Sequence, residues 1–159
     1  MEDIKDIIAD IFIKLSLFNQ LSMSAVRELA GLAEERIFHR SDTIFEESTT
    51  GKSLMIIVSG EVRITQKAKV SGEETLTVLK KGDFFGEMAL LEDLPRSATA
   101  IAHSDTFMLE ISRENFLRFI EKDPASGVKI LFILARILSA RLREADVKIK
   151  AFVNLSQWI

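Results

Sequence analysis

The chain has 159 residues, of which 47% are hydrophobic and 28% are charged. This length and composition are typical of one globular domain with a sizeable core and room for one extension. The formal net charge of −3 provides no overall positive field that would attract nucleic acid, and the lack of cysteine excludes disulfides, thiol nucleophiles and thiolate metal sites.

Neither a signal peptide nor a membrane span is predicted. Residues 1–6 are acidic, and no basic segment leads from them into an apolar run. The longest uninterrupted apolar run in the C-terminal part, from Ile130 to Ala135, is far too short to cross a bilayer. We therefore expect a soluble cytoplasmic domain.

Residues 1–35 are predicted to form two helices that serve as packing elements. The first is expected to end near Phe18 and Asn19, and its apolar residues recur at helical spacing: Ile4, Ile7, Ile8, Ile11 and Leu15. Ser24 is the expected N-cap of the second helix, which is predicted to run to about Glu35.

Residues 36–111 change to a two-residue period, which is typical of β-strands. The predicted strands are Ile44–Phe45, Ser53–Ser59, Glu61–Thr65, Thr75–Leu79, Thr99–Ala102 and Thr106–Ile111. The alternation of Leu54, Ile56 and Val58 predicts one buried face. Short strands at this spacing, with turn residues between them, favour a β-roll (jelly roll) of about eight strands and hence an α+β fold.

Residues 112–159 are predicted to be helical and to form a lid or a dimer contact. Ser112 is the expected N-cap of a short helix. Asp123 and Pro124 predict the start of a second helix, because aspartate caps the N-terminus and proline fits the first helical position. Beyond its first turn no proline or glycine interrupts this helix, which is expected to continue past Phe152.

The long helix also carries spacings of three and four residues, like the a and d positions of a coiled coil. This pattern predicts a homodimer. The expected interface is Leu131, Ala135, Leu138, Leu142, Ala145 and Ile149. In a parallel dimer, Arg141 at g and Asp146 at e would bring opposite charges together. An ordinary helix packed on its own domain stays open, because Ile130, Leu134 and Ile137 form a further apolar row that suits the β-roll.

The stretch from Phe85 to Thr99 combines a glycine, an acid, a short helical run and a lone arginine. Gly86 permits a turn that a Cβ would obstruct, and the helix formers after it predict a helix N-terminus. Such a terminus suits a phosphate, to which Arg96 can add a charged fork. Glu87 would repel an anion but can accept a hydrogen bond from a sugar hydroxyl. Together these residues predict a pocket for a nucleotide monophosphate.

The same stretch resembles the phosphate-binding cassette of cyclic nucleotide-binding domains, here residues 84–99. This family includes the bacterial catabolite activators, the regulatory subunits of cyclic AMP-dependent kinase, and cyclic nucleotide-gated channels. The matching residues are Phe85-Gly86-Glu87-Met88-Ala89-Leu90-Leu91 and Pro95-Arg96-Ser97-Ala98-Thr99. The resemblance extends roughly from Leu17 to Phe152. The family usually carries glycine where this chain has Ser41 and Ser48, a departure that bears on local turn geometry and not on ligand binding.

The resemblance implies roles for individual residues. Glu87 would hold the ribose 2′-hydroxyl and Arg96 the cyclic phosphate. Ser97 would add its hydroxyl to the phosphate or to a guanine amino group. Backbone N–H groups of Met88, Ala89 and Ala98 would complete the phosphate cradle, and the base would lie against Ile64, Leu76 and Thr77. The implied ligand is cyclic AMP (cAMP), with cyclic GMP (cGMP) as the alternative.

No catalytic or metal motif accompanies the cassette. His39 and His103 are far apart in the sequence and lack the neighbouring ligands that a cupin-type metal site or a haem sensor needs. No P-loop, Ser/His/Asp arrangement or paired-carboxylate motif stands out. We therefore expect no enzymatic activity, no cofactor and no metal.

Three functions stay open at this point. The first is a cyclic nucleotide sensor that signals through its C-terminal helix. The second is a domain of the same fold that binds another small anion, and the third is a structural dimerisation domain with a vestigial pocket. Transcription factors of the family place a helix-turn-helix after the long helix, and none follows it in this sequence. Direct DNA binding by this chain is therefore not expected.

Overall fold

A computed structural model describes residues 4–69 and 72–156 of the chain. The helices are α1 (Ile4–Phe12), α2 (Met23–Ala30), α3 (Met88–Leu91), α4 (Arg113–Lys122) and α5 (Pro124–Ser156). The strands are β1 (Glu34–Phe38), β2 (Thr43–Phe45), β3 (Ser53–Ser59), β4 (Val62–Ala68), β5 (Gly72–Leu79), β6 (Phe84–Phe85), β7 (Thr99–Ala102) and β8 (Thr106–Ser112).

The strands pair antiparallel in two four-stranded sheets, ordered β1-β8-β3-β6 and β2-β7-β4-β5. The predicted α+β jelly roll with N-terminal helices and a long C-terminal helix is thereby confirmed. Among the described residues, no helix combines the length and the apolar character needed to cross a membrane.

The core has two apolar layers, one on each side of the first sheet. The layer between the two sheets contains Met55, Ile57, Val62, Phe85, Ala100 and Met108. The layer between the first sheet and the helices contains Leu54, Ile56, Leu109 and Ile111 together with Phe12, Phe18, Phe116 and Phe119. Strand β3 is therefore buried on both faces, and the expectation of a single buried face was wrong. Consecutive apolar residues are what a strand covered on both sides requires.

The N-terminal region is less helical than its apolar spacing predicts. Helix α1 ends at Phe12, and not near Phe18 and Asn19. Residues Leu15 and Leu17 lie beyond it in turns, yet both are buried. Backbone N–H groups there bond to carbonyls three residues back, as from Leu15 to Phe12 at 2.9 Å. The apolar spacing therefore reflects packing in a turn-rich segment rather than a continuous helix.

Helix α2 is shifted and shorter than predicted. Ser22, and not Ser24, is its N-cap, with Oγ accepting a hydrogen bond of 3.2 Å from the helix backbone. The helix ends at Ala30, and the region expected to be helical up to Glu35 already belongs to β1. Because β1 is a sheet edge whose first four residues are exposed and mostly charged, it shows no alternating pattern.

Helix α5 begins at Pro124, as predicted. The Oδ1 atom of Asp123 accepts a hydrogen bond of 3.1 Å from the N–H of Ser126. Hydrogen bonding to the side chain of Ser126, and then to its backbone, lowers the pKa of Asp123. Ile130 and Leu134 are buried in the layer under the first sheet, and Ile137 packs beside them. Residues 139–154 are all exposed. The first half of α5 therefore rests on the domain, and the second half projects away from it.

Two serines stand in a left-handed backbone conformation, Ser41 with φ 74° and Ser48 with φ 66°. These are the positions where glycine was expected from the resemblance. A residue with a side chain costs roughly 1–2 kcal/mol when its backbone adopts this left-handed conformation. Ser48 keeps the conformation while its N–H donates to the carbonyl oxygen of Arg96 at 2.8 Å. The turn geometry is thus retained without glycine, and one of the two turns holds the backbone of Arg96.

Candidate functional site

The cassette begins with a left-handed turn between β6 and α3. Gly86 has a φ of 80° and connects the buried Phe85 to Glu87. A Cβ at this position would lie 2.6 Å from the carbonyl oxygen of Ser53 and 2.7 Å from Nη1 of Arg96. Glycine is therefore required both for the turn and for the close approach of the arginine.

Arg96 is a buried cation that contacts no opposite charge within residues 4–69 and 72–156. Only 8% of the residue is exposed. Its Nη1 donates to the carbonyl oxygen of Ser53 and its Nη2 to Oγ of Ser53, both at 3.3 Å, and its guanidinium lies 4.1 Å from the ring centroid of Phe45. Its buried Nε has no acceptor, and no carboxylate of the described residues forms an ion pair with it. Burial lowers the pKa of Arg96, against the opposing effects of Glu110 and Glu87.

This environment is typical of a site that is completed by an anion. Two hydrogen bonds at 3.3 Å are long for N–H donors, so they compensate poorly for the lost hydration of the guanidinium. A phosphate next to Arg96 would supply both the missing charge and the missing acceptors. Gly51 keeps the space open, because a Cβ there would lie 2.2 Å from Nε of Arg96.

Glu87 is also buried, and its partner comes from the long helix. The Oε1 atom of Glu87 accepts a hydrogen bond of 2.5 Å from Nη1 of Arg141. The Nη2 atom of Arg141 donates to the carbonyl oxygen of Phe84 at 3.4 Å, and the guanidinium lies 5.5 Å from the centroid of the Phe84 ring. The sequence placed Arg141 at a dimer interface, whereas here it contacts the cassette of its own chain.

Of the three backbone N–H groups that were predicted to bind the phosphate, one is already used within the chain. The N–H of Ala89 already donates to the carbonyl oxygen of Gly86 at 3.1 Å. In the described part of the chain, the N–H groups of Met88 and Ala98 have no acceptor. The side chain of Ser97 is exposed.

The residues predicted to line the base lie together on the second sheet. Ile64 of β4 is in register with Thr77 of β5 and with Ala100 of β7. The register shifts after Ile64, and Leu76 has no partner across the ladder and is 51% exposed. A bulge re-aims side chains, so Leu76 and Thr77 do not simply point to opposite faces of the sheet as neighbours in a regular strand would.

A cavity of about 330 Å³ reaches Arg96 from the side of Phe45 and Ser53. Its wall includes the apolar Phe38 and Met55 from the layer between the sheets. Gly86 and Glu87 are not among its lining residues. Arg96 is therefore the cassette residue that this cavity reaches.

Sequence reasoning missed four residues of the site: Phe45, Gly51, Ser53 and Arg141. No group of histidine, aspartate and glutamate within the described residues could hold a metal ion, and His39 and His103 are both exposed.

Comparison with known proteins places this geometry in context. A sequence profile described as "Cyclic nucleotide-binding domain" matches residues 35–123. The cyclic AMP receptor protein of Thermus thermophilus is 35% identical over 133 residues, which cover 84% of this chain and 60% of that protein. The match thus spans about 60% of the length of this relative.

Solved structures that are similar to this chain include further cyclic nucleotide-binding proteins. A cyclic nucleotide-binding domain from Methylobacillus flagellatus superposes with a TM-score of 0.79 at 29% identity, covering 91% of this chain and 82% of the other. The regulatory domain of Toxoplasma gondii PKA, solved with cAMP, superposes with a TM-score of 0.68 at 28% identity, covering 75% of this chain and 45% of the other.

Proposed function

Because the chain belongs to the cyclic nucleotide-binding domain family, we propose that it is a regulatory sensor whose ligand is cAMP, with cGMP as the alternative. The observation that carries the proposal is the buried guanidinium of Arg96, which faces the Gly86 turn and contacts no carboxylate in the part of the chain that the structure describes. The names of the Thermus relative and of the Toxoplasma complex support cAMP over cGMP. The proposed role is regulatory and not catalytic, and its expected setting is the cytoplasm.

The residues take the roles that the family resemblance implies. Arg96 binds the cyclic phosphate together with the free N–H groups of Met88 and Ala98, and Glu87 accepts a hydrogen bond from the ribose 2′-hydroxyl. Ser97 is exposed beside this site and can reach the phosphate or a guanine amino group. The base lies against Ile64, Leu76 and Thr77 on the second sheet. The N–H of Ala89 contributes only after it gives up its bond to Gly86.

We expect cAMP to bind with a Kd in the micromolar range or below, as measured by calorimetric titration. At about a hundredfold excess over Kd, the ligand would stabilise the folded state by about 2.7 kcal/mol. For a chain of this size, that corresponds to a rise in Tm on the order of 5–10 °C. Parallel titrations with cGMP, 5′-AMP and inorganic phosphate serve as controls.

The three open functions give different results in this experiment. A response to cAMP or cGMP alone supports the sensor. A response to phosphate or another small anion, without preference for a cyclic nucleotide, supports the second function. No rise in Tm with any of these at millimolar concentration would contradict the proposal and leave the structural dimerisation domain.

The proposed output is a homodimer formed by the projecting part of α5. In the structure the predicted interface residues Leu142 and Ile149 are 63% and 60% exposed, and Phe152 of the same stripe is 72% exposed. Large exposed apolar stripes of this kind mark interaction surfaces. A ligand that prefers one arrangement of these helices would shift their equilibrium by its difference in affinity for the two arrangements.

Leu142→Asp is expected to convert a dimer into a monomer in sedimentation velocity, because it buries a charge in the helix interface. The matched control is Val147→Asp, since Val147 is equally exposed at 67% but lies outside the a and d positions. The control should remain dimeric. A wild-type protein that sediments as a monomer with and without cAMP would end the dimer proposal.

A further inference from the structure

Strand β5 (Gly72–Leu79) presents a free edge. It lies at the end of the second sheet, where it pairs with β4 on one side only. All of its residues are exposed except Leu79, which is half-buried. Apart from its ladder with β4, the backbone of residues 75–79 forms no hydrogen bond within the described part of the chain. A row of unpaired N–H and C=O groups at a sheet edge is a template for a further strand.

The middle of β5 lacks the residues that usually prevent such pairing. Residues 75–79 are Thr-Leu-Thr-Val-Leu, without charge, proline or glycine. Leu76 is 51% exposed and Val78 is 36% exposed. Apolar and β-branched residues favour strand pairing, whereas most natural sheet edges are protected by charged side chains or proline. The protective feature of β5 is the bulge at Leu76, which bends the strand locally.

Charges of opposite sign flank this uncharged segment. Glu73 and Glu74 precede it, and Lys80 and Lys81 follow it. If two copies of the strand paired antiparallel about Thr77, the acidic pair of each copy would meet the basic pair of the other. Glu74 would then lie opposite Lys80, and Glu73 opposite Lys81. Opposite charges at such cross-strand positions stabilise strand pairing.

Other arrangements of the same two strands lose this complementarity. Parallel pairing in register would place glutamate opposite glutamate and lysine opposite lysine, which is destabilising. A shift of the antiparallel register by two residues would leave Glu74 opposite Val78 or Gly82. The register centred on Thr77 also places Leu76 directly opposite Val78, so that the exposed apolar side chains of the two copies pack together.

We infer that β5 is an interaction surface for a second copy of this chain, which it binds by antiparallel strand pairing centred on Thr77. The inference requires no nucleotide and does not depend on the proposed function. A contact of one short strand on another is small, so the association is weak and depends on protein concentration. Because β5 and the projecting part of α5 are separate surfaces, strand pairing would link α5 dimers, where these form, into larger assemblies.

Disulfide trapping is a direct test, because the chain contains no cysteine. In the inferred register the two copies of residue 77 face each other with Cα atoms about 4.5–5.5 Å apart, a separation that a disulfide can span. Thr77→Cys should therefore form a covalent dimer under mild oxidation. Thr75→Cys is the matched control, because its two copies would lie about 14 Å apart along the strands. Its covalent dimer should form at least about tenfold more slowly.

Charge reversal in the Thr77→Cys protein tests the register. Glu74→Lys places like charges together at both ends of the paired strands and should slow dimer formation about two- to thirtyfold. Lys80→Glu should have the same effect, and the two substitutions together should restore the rate. Glu114→Lys makes the same charge change on α4, away from β5, and should leave the rate unchanged.

Hydrogen exchange of the wild type provides a measurement that does not depend on any substitution. The amides of residues 75–79 should exchange more slowly as the protein concentration rises. Those of β1, an exposed edge of the other sheet, should not. Equal rates of dimer formation by Thr77→Cys and Thr75→Cys would overturn the inference. Exchange in β5 that is independent of protein concentration would overturn it as well.

Discussion

Arg96→Leu is expected to weaken cAMP binding by at least 2–3 kcal/mol (roughly 30- to 150-fold), because a charge-assisted fork to the phosphate is lost. Calorimetric titration of the purified variant measures the loss. Arg96→Lys keeps the charge but not the planar fork, so its affinity for cAMP should lie between those of the wild type and Arg96→Leu. Arg63→Leu, which removes a half-buried arginine on β4 outside the cassette, is the control and should bind as the wild type does.

The stability of Arg96→Leu in the absence of ligand provides an independent test. Arg96 is buried with two hydrogen bonds of 3.3 Å, and no carboxylate among the described residues is in contact with it. Replacing such a cation by an apolar side chain is often neutral or stabilising. Denaturant unfolding of Arg96→Leu should therefore give a free energy of unfolding equal to or above that of the wild type. A loss of more than about 2 kcal/mol would show that Arg96 mainly supports the fold and would contradict its assignment as a ligand residue.

Gly86→Ala is expected to reduce the free energy of unfolding by about 3 kcal/mol and to abolish nucleotide binding. The positive φ alone costs roughly 1–2 kcal/mol for a side chain, and the clash with the carbonyl oxygen of Ser53 adds about 1–3 kcal/mol. Relief of that clash requires β3 or the cassette to move, since the contacting atom belongs to the backbone. Thermal unfolding should show a decrease in Tm on the order of 6–12 °C.

Gly72→Ala separates the cost of the positive φ from the cost of the steric clash. Gly72 has a nearly identical φ of 83°, but a Cβ there would meet no atom within 4 Å. This variant should therefore lose only the conformational part, about 1–2 kcal/mol, and bind cAMP normally. Equal destabilisation of the two variants would mean that the clash at Gly86 is relieved without cost, and normal nucleotide binding by Gly86→Ala would contradict the role of this turn.

The cassette could be predicted from sequence because its requirements are local. Gly86 sits at a turn with positive φ, and Glu87 follows it directly. Only the short helix α3 and one loop separate Glu87 from Arg96. Strands β1 and β6 were missed for equally local reasons. The first is an exposed edge without alternation, and the second has only two residues, both buried.

The contact between Arg141 and Glu87 was not predictable in this way. The two residues are separated by 54 positions, and they meet only because α5 leaves the domain beside the cassette. The heptad spacing explained Arg141 equally well as a partner of Asp146 in a second chain. Similarly, Ser53 and Gly51 join the site because β3 passes behind Gly86, which only the pairing of β3 with β6 determines. Pairing between distant segments leaves no periodic signal in the sequence.

The projecting half of α5 has a mechanical consequence. The segment from Arg141 to the end of α5 at Ser156 is continuous helix, which at 1.5 Å per residue extends about 22 Å. A tilt of about 10° around Arg141 would displace its far end by about 4 Å, several times the movement needed to break a hydrogen bond at the pivot. A small change in the direction of the helix at Arg141 would therefore become a displacement of several ångströms at its far end.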